Sequence, residues 1–422
     1  MSLRKRFTNF VGQTLGVDAE YLIRNGFWVS FRYALVSIIG LVTTILFTRM
    51  ASKEVYGAYQ YTLSFVAFFS FFSLPGLNIA ALKSVVKGNN NAVFQAIKWS
   101  FLSSLLGIPC ILGYGLYHQG TQEIPGTLLL IVAIAFAPFY ALNTWYVFYE
   151  GRQDFFSVAW RALLASGVSF LSLWAALIFD ASLTTIVAIY FGAGIVLSAV
   201  FLLEIWWQSR CESSTPVLSG DMLDIPYGLA VTGQKLVFNA SETLPLMAIG
   251  SAYGFADVAV FQVAFFVYSS ISGYIGALIS MYLPRLFSGT RLEKGRMITY
   301  NLLSGILIAT GMGLFLLAAF PFLFGAGYRE SIHIAWYLLP AVVLLPLKSY
   351  LTSYFTANYR IVLLIVTYLT GNCLAGIGFY LVREHGAGIA GSLYVMTLVA
   401  TTTALMILNY FSETESKKIA SI

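Results

Sequence analysis

The chain has 422 residues, of which 59% are hydrophobic and only 10% are charged. A soluble globular domain carries about 25% charged residues, so this chain cannot cover its surface with groups that water solvates. The composition therefore excludes a soluble enzyme or binding domain and predicts an all-α polytopic membrane protein. The net charge of +6 does not indicate a nucleic-acid partner, because the basic residues are spread over short loops and form no stripe.

Hydrophobic runs bounded by turn and charge signals predict about 12 transmembrane helices, which we number as spans one to twelve. The basic N-terminus lacks a compact apolar region and a small-residue cleavage site, so a cleaved signal peptide is not expected. The predicted limits of the spans are 27–50, 61–82, 97–117, 126–148, 157–178, 183–206, 227–250, 261–284, 298–323, 332–356, 361–382 and 387–411.

The distribution of basic residues predicts the orientation of these spans. Most of the 24 Lys and Arg residues fall in segments that are cytoplasmic if the N-terminus lies inside. This asymmetry follows the positive-inside rule, so both termini are expected to be cytoplasmic. Residues 1–26 are expected to form a cytoplasmic N-terminal segment, in which 7–24 lie as a short helix on the membrane surface.

A polar central connector divides the chain into two bundles of six spans. A weak internal repeat supports this division, since 54–60 after span one resembles 257–262 after span seven. Each half has an even number of spans, so the halves form a parallel repeat about an axis along the membrane normal. The predicted units are an N-lobe at 27–206, a cytoplasmic linker at 207–226, a C-lobe at 227–411 and a cytoplasmic tail at 412–422.

Two basic residues occupy matching places in otherwise apolar spans, Arg32 in span one and Lys235 in span seven. A charge near the centre of a membrane helix costs roughly 2.5–3.5 kcal/mol on insertion scales and is usually functional. At about 100° per residue, Lys235 shares one face of its helix with Asn239 and Glu242. The pattern predicts an electropositive cavity between the halves, which favours an anionic headgroup as substrate.

Three further residues are candidates for the transport site. Lys348 in span ten and Arg49 at the outer end of span one join the predicted substrate-binding set, and Glu242 is the candidate for coupling to a proton or cation. Structural alternatives stay open for each. Arg32 and Lys348 can snorkel to the cytoplasmic interface. Glu242 can instead neutralise Lys235, and Arg49 can serve an outer gate or anchor its helix.

No catalytic residue, metal site or cofactor is expected. Cys110, Cys211 and Cys373 are odd in number and far apart, so they indicate neither a disulfide framework nor metal-ligand spacing. Residues 386–391 match the pattern G-x-G-x-x-G, but a dinucleotide site needs a preceding strand in a βαβ unit. Here the pattern indicates the start and close packing of the last membrane helix.

One segment resembles a known family. Residues 47–59 contain an arginine, an acidic residue and the pattern Tyr-Gly-x-Tyr, carried by Arg49, Glu54, Tyr56, Gly57 and Tyr59. This order is similar to the signature that follows span one in bacterial Wzx-type polysaccharide flippases of the multidrug/oligosaccharidyl-lipid/polysaccharide (MOP) exporter superfamily. Further similar stretches occur along the chain in the same order, at 74–78, 148–155, 323–328 and 386–391. The internal repeat departs from the pattern, since Ala259 stands in place of the glycine.

The resemblance implies a MATE-like fold, in which two six-helix lobes enclose a central cavity that opens alternately to either side. It implies a flippase, not an enzyme, that moves undecaprenyl-pyrophosphate-linked oligosaccharide repeat units to the periplasmic leaflet of the bacterial inner membrane. The products would serve O-antigen, capsule or exopolysaccharide biosynthesis. The implied partners are the lipid-linked oligosaccharide, membrane lipid and, as candidates, a polysaccharide polymerase and a chain-length regulator.

Three alternatives are weighed against this interpretation. A drug/cation antiporter of the same superfamily would need acidic cavity residues, whereas Arg32, Lys235 and Lys348 outnumber Glu242 within the predicted spans. A membrane glycosyltransferase or polysaccharide polymerase would need a catalytic outer face on a large loop, and the predicted outer connectors are all short. A non-transporting scaffold in a polysaccharide assembly complex is the third alternative.

Overall fold

The structure, a computed structural model, describes residues 19–118, 125–211, 223–280, 294–358 and 360–419. These residues are almost entirely helical and include no strand, which confirms the all-α prediction. The α-helices are α1 Ala19–Met50, α2 Lys53–Phe69, α3 Gly76–Val86, α4 Asn91–His118, α5 Gly126–Leu142, α6 Tyr146–Gly151, α7 Phe155–Ile178, α8 Leu183–Cys211, α9 Ile225–Ala252, α10 Phe255–Ser280, α11 Lys294–Ala318, α12 Phe320–Phe324, α13 Arg329–Ala357, α14 Ile361–Val382 and α15 Ala387–Ile419.

Within the described ranges, ten helical stretches are long and apolar enough to cross a membrane. Helices α2 and α3 form an eleventh candidate, which is bent by 53° at the break between them. Helix α9 has 28 residues and stands where span seven is predicted, but it is not among these candidates. Its length of ~42 Å exceeds a hydrocarbon core of ~30 Å. The chain is therefore a multi-pass membrane protein, while the total of twelve spans and the placement of the termini stay predictions.

The first membrane helix begins earlier than the sequence pattern predicts. Helix α1 starts at Ala19 and continues without interruption to Met50. Residues 19–24 of the expected surface helix at 7–24 are helical and continuous with the span that follows, and their place on the membrane surface stays a prediction. The rest of that segment lies outside the described residues. An unbroken helix satisfies its own backbone hydrogen bonds through the interface, so the chain needs no turn there.

Helices also extend into the predicted linker and tail. Helix α8 continues to Cys211 and α9 begins at Ile225, so the connector 207–226 is helical at both ends, and its middle lies outside the described residues. The carboxylate of Asp224 accepts a hydrogen bond from the backbone N–H of Tyr227 at 3.2 Å and thereby caps α9. Helix α15 runs through most of the predicted tail and ends at Ile419.

One proline of the described membrane helices stands at a break. Pro75 stands at the break between α2 and α3, where Leu74 takes a left-handed conformation with φ 49° and ψ 56°. Pro245 and Pro340 lie inside continuous helices and end neither of them. Pro346 does the same, and Pro284 lies outside the described residues. Neighbouring helices can satisfy the backbone groups that a proline frees, so continuity is tolerated.

Two halves of the chain meet along one seam. We define the N-terminal half as α1–α8 and the C-terminal half as α9–α15; α2 and α3 of the first pack against α9 and α10 of the second. A Cβ atom at Gly57 would lie 1.7 Å from the carbonyl oxygen of Phe255, and one at Gly76 would lie 2.0 Å from that of Gly228. Small residues at such points allow helix backbones to approach closely.

Candidate functional site

The first element of the site is the break between α2 and α3. The bend turns the backbone carbonyl of Pro75 toward the C-terminal half, where the Lys235 ammonium donates a hydrogen bond to it at 3.2 Å. Just beyond the break, the backbone N–H of Gly76 donates to the Thr232 hydroxyl at 3.0 Å. Irregular backbone at membrane depth is tolerated where it is buried in protein or lines a cavity, so the break marks a candidate site.

A second break lies close to the first. Helix α5 ends in a 3-10 turn at Asn143–Trp145 before the short helix α6 begins at Tyr146. Asn78 of α3 connects the two breaks: its amide donates to the Tyr146 hydroxyl at 3.3 Å, and its oxygen accepts from the Thr144 hydroxyl at 3.2 Å. These bonds hold α6 and its acidic residue Glu150 against α3.

Arg32 and Glu150 form an ion pair within the N-terminal half. The Nη1 atom of Arg32 lies 3.4 Å from Oε1 of Glu150, and the side chains are 19% and 23% exposed. The guanidinium also lies 5.2 Å from the centre of the Tyr33 ring. Because Arg32 has an internal partner, the expectation that it only snorkels to the interface does not describe its contacts.

Lys235 places a second positive charge, from the C-terminal half, within electrostatic range of the same carboxylate, while its ammonium donates its hydrogen bond to the Pro75 carbonyl. The negative charge of Glu150 acts on both Arg32 and Lys235. We call these three residues the Arg32–Glu150–Lys235 cluster. It spans the two halves, and its formal charge is positive. Both intramembrane cations that the sequence pattern indicated therefore act on one carboxylate.

Asn239 continues the polar contact between the halves. One turn beyond Lys235 on α9, its amide donates to the Ser70 hydroxyl of the 3-10 turn that follows α2, at 3.2 Å. Thr232, Lys235 and Asn239 thus all contact the N-terminal half through side-chain polar atoms. This arrangement is the one expected if the polar stripe of span seven turns away from lipid.

Glu242 and Lys348 form a separate polar region within the C-terminal half. Lys348 is only 8% exposed and its ammonium lies 5.2 Å from the centre of the Tyr368 ring, so the snorkelling alternative is wrong for this residue. The side chain of Glu242 is exposed although it lies in the middle of α9. Lys348 is the cation whose charge acts on Glu242. The alternative pairing of Glu242 with Lys235 is wrong, since each has a different charged neighbour.

Arg49 lies in the last turn of α1, about 25 Å along the helix from Arg32, which is near the middle of α1. Its Nε atom donates to the Leu323 carbonyl at 3.2 Å and its Nη2 atom to the Phe322 carbonyl at 2.8 Å. Beside it, the Lys53 ammonium lies 5.4 Å from the centre of the Tyr328 ring. The structure thus separates Arg49 from the other predicted substrate-binding residues. Its contacts join the two halves, as the gate alternative requires.

Glu150 belongs to the site although it was not predicted as a site residue. The predicted span four ends at residue 148, which placed this glutamate in a loop, whereas the membrane helix continues to Gly151. The usable signal was an acidic residue next to a membrane span in a chain that also carries intramembrane cations.

The described residues provide no cofactor or metal site of the kinds considered from the sequence. Among them, no group of three or more His, Cys, Asp and Glu side chains could hold a metal ion. The glycine pattern at 386–391 follows the 3-10 turn Arg383–His385 and opens α15, and no strand of the described chain precedes it. A Cβ atom at Gly391 would lie 2.6 Å from the Phe261 ring, so this glycine provides close packing.

A comparison with protein families shows which family the chain belongs to. The family described as "Polysaccharide biosynthesis protein" matches residues 22–290. The chain belongs to this family. The match confirms the resemblance to polysaccharide flippases of the MOP superfamily. A comparison with curated protein sequences gives no match.

Solved structures of transporters share the fold over nearly the whole chain. The eukaryotic MATE transporter AtDTX14 is 12% identical, with 93% of this chain and 94% of that chain covered and a TM-score of 0.59. The lipid II flippase MurJ in an inward closed conformation is 13% identical, with 90% and 87% covered and a TM-score of 0.60. The Vibrio cholerae MATE transporter VcmN is 11% identical, with 94% and 97% covered and a TM-score of 0.64. These matches confirm the MATE-like fold.

Proposed function

We propose that this protein is a flippase for polyprenyl-pyrophosphate-linked oligosaccharides of the undecaprenyl type, which it moves between membrane leaflets by alternating access. The observation that supports the proposal is the Arg32–Glu150–Lys235 cluster, in which Arg32 contacts Glu150 beyond one helix break and Lys235 of the other half contacts the Pro75 carbonyl at a second break. The similar MurJ structure is that of a lipid II flippase. A pyrophosphate is the part of such a lipid that needs positive charge.

The physical problem for a flippase is the polar headgroup. A phosphate and sugar headgroup that crosses hydrocarbon alone would lose the hydrogen bonds that water provides to every polar group. Arg32 and Lys235 can replace that hydration with charge-assisted hydrogen bonds, which are roughly twice as strong as neutral ones. The apolar tail can stay in lipid throughout.

The topology proposed with this function has both termini in the cytoplasm of a bacterium and the protein in its cytoplasmic membrane. The proposed lobes are 27–206 and 227–411, and they would rock about the seam between α2–α3 and α9–α10. Because Arg32 belongs to one lobe and Lys235 to the other, rocking changes the distance between the two cations. A site that widens in this way would bind the headgroup tightly in one state and release it in the other.

The proposal predicts that Arg32→Ala and Lys235→Ala each lower the rate of flipping at least tenfold, because each removes a charge-assisted contact worth about 1.5–3 kcal/mol. The measurement is the translocation of a fluorescent polyprenyl-pyrophosphate glycolipid in proteoliposomes. Arg32→Lys should be milder than Arg32→Glu, since the sign of the charge matters more than the guanidinium fork.

Arg210→Ala is the matched control, because Arg210 is exposed at the end of α8 and stacks on Trp206, 3.8 Å from its ring centre. It should leave flipping unchanged. Wild-type flipping in the Arg32→Ala/Lys235→Ala double variant would contradict the proposal.

A second function is supported by one observation, the exposed carboxylate of Glu242 in the C-terminal half. An accessible acid within the bundle is what a drug/cation antiporter would use to meet a cationic substrate or a coupling ion. Efflux of a cationic dye from the same proteoliposomes tests it. Dye efflux that depends on Glu242, together with no glycolipid flipping, would favour the antiporter.

A further inference from the structure

We propose that Glu150 is a built-in competitor of the substrate: its carboxylate pairs with Arg32 and lies within electrostatic range of Lys235 when no substrate is bound, and the headgroup phosphates displace it from Arg32. This inference rests on the proposed function and assigns a specificity and release role to a residue of the same site. It predicts that Glu150 weakens headgroup binding and speeds the cycle.

The geometry of the pair is that of an exchangeable contact. Arg32 and Glu150 are joined by one oxygen and one nitrogen at 3.4 Å, a long distance for a charge-assisted hydrogen bond. Both side chains keep about a fifth of their surface exposed, so another anion can reach them.

An ion pair elsewhere in the same half shows the contrast. Arg161 and Glu204 connect α7 with α8 through two parallel bonds, from Nη2 to Oε1 at 2.5 Å and from Nε to Oε2 at 3.2 Å. Bidentate pairs of this kind add geometric specificity and hold two elements together. Arg32 and Glu150 lack the second bond. Their pair therefore fixes the relative position of α1 and α6 less firmly, and another anion can replace the carboxylate more easily.

The two cations also keep donors for a ligand. A guanidinium and an ammonium together offer roughly eight N–H donors. In the described part of the chain, Arg32 donates one hydrogen bond to Glu150 and Lys235 donates one to the Pro75 carbonyl. Most of the remaining donors suit a pyrophosphate, whose several oxygens accept hydrogen bonds and whose charge exceeds that of one carboxylate.

Exchange of anions keeps the two cations partly neutralised when no substrate is bound. Two unpaired cations inside a membrane protein are costly, and removal of one partner from a buried charge cluster destabilises by several kcal/mol. Glu150 partly neutralises Arg32 and Lys235 whenever the substrate is absent. As the headgroup leaves, the carboxylate returns, so each state of the cycle keeps an anion beside the cations. Glu150 lies in the last turn of the six-residue helix α6, beyond a break, where a small movement suffices.

The test measures binding of inorganic pyrophosphate to the purified full chain by titration calorimetry. Glu150→Gln should tighten the Kd about tenfold, because it removes the competing charge and keeps the shape of the side chain. The same variant should flip the glycolipid several-fold more slowly, since release becomes harder. Glu204→Gln, which disrupts the bidentate pair with Arg161, is the matched control and should leave the Kd unchanged.

Glu150→Asp keeps the charge but withdraws it by one methylene, so its Kd should fall between those of wild type and Glu150→Gln. This variant covers the case in which Glu150→Gln fails to fold. A Kd for either variant that is equal to or weaker than wild type would overturn the competitor role, because a merely structural glutamate gives that result. If Arg32→Ala and Lys235→Ala nevertheless weaken pyrophosphate binding, the proposed function stands. If they leave both binding and flipping unchanged, the proposed function itself fails.

Discussion

Arg49 connects the two halves through backbone atoms. Its guanidinium donates to the carbonyls of Phe322 and Leu323, which lie in the last turn of the short helix α12. A cation at the C-terminus of a helix is favoured by the partial negative charge of its unsatisfied carbonyls. The contact therefore closes one end of the seam without needing a carboxylate partner.

We predict that Arg49→Ala favours separation of the halves at this end. The residue is exposed, so the loss is discounted to about 1 kcal/mol, or roughly a fivefold change in the population of open molecules. The distance across this end of the seam can be measured by electron paramagnetic resonance. Spin labels are attached at Met50→Cys and Arg329→Cys in a background without native cysteines.

Arg383→Ala is the control, because Arg383 stacks on Tyr380 of its own half, 4.3 Å from the ring centre. It should leave the distance distribution unchanged. An unchanged distribution in Arg49→Ala as well would contradict the gate role.

For single residues, helical periodicity predicted which polar side chains face away from lipid, but not which of them contact each other. The polar face of span seven follows from helical spacing alone, and Lys235 and Asn239 do contact the other half. The alternative pairing of Lys235 with Glu242 failed because a shared helix face does not say which neighbouring helix supplies the counter-charge. Glu150 and Lys348 supply it from sequence-distant elements.

At the scale of elements, the family-like motif after span one has a packing role. Tyr56 is fully buried, and Tyr59 stacks on Phe47 with ring centres 4.8 Å apart. Gly57 lies against the first turn of α10, so the segment 54–60 packs close to its own repeat at 257–262. The two copies of the repeat therefore meet at the seam between the halves. Gly57 alone allows the backbones of α2 and α10 to approach closely. The matching position of the second repeat can therefore carry an alanine, Ala259.

We predict that Gly57→Ala impairs the seam. The added Cβ atom would lie 1.7 Å from the Phe255 carbonyl oxygen, so a backbone must shift. Overpacking of this kind costs about 1–3 kcal/mol or more. The thermal unfolding temperature of the detergent-solubilised protein should fall, and glycolipid flipping should fall with it.

Gly167→Ala is the matched control in α7, because its Cβ atom would meet nothing within 4 Å. Removal of a helical glycine there should keep or slightly raise the unfolding temperature. Equal unfolding temperatures for Gly57→Ala and wild type would contradict the close-packed seam.

Breaks within helices were the hardest elements to predict. Pro75 stands at a break, yet Pro245, Pro340 and Pro346 lie inside continuous helices, so a proline alone does not indicate where a helix ends. The 3-10 turn Asn143–Trp145 gave no signal, since no glycine or proline stands in it. Whether a helix breaks depends on the neighbours that satisfy its backbone, and those are tertiary contacts.

At the scale of the whole molecule, the order of the helices could be predicted almost completely. A hydrophobic run bounded by charges is a strong local signal, and bilayer thickness fixes its length. Large apolar side chains such as Leu307, Ile134 and Leu381 are more than 70% exposed, as the lipid-facing surface of a membrane bundle requires. The arrangement of the two halves was predictable only through the resemblance, because weak repeats do not specify contacts.

In the proposed mechanism, a positively charged junction between the halves holds the phosphates of a lipid-linked sugar. The most direct measurement is a structure of the protein in lipid nanodiscs with a polyprenyl-pyrophosphate glycolipid bound. We predict that the phosphate oxygens lie within hydrogen-bond distance of Arg32 and Lys235, with Glu150 displaced from Arg32. A bound headgroup elsewhere, with the Arg32–Glu150 pair intact, would contradict this mechanism.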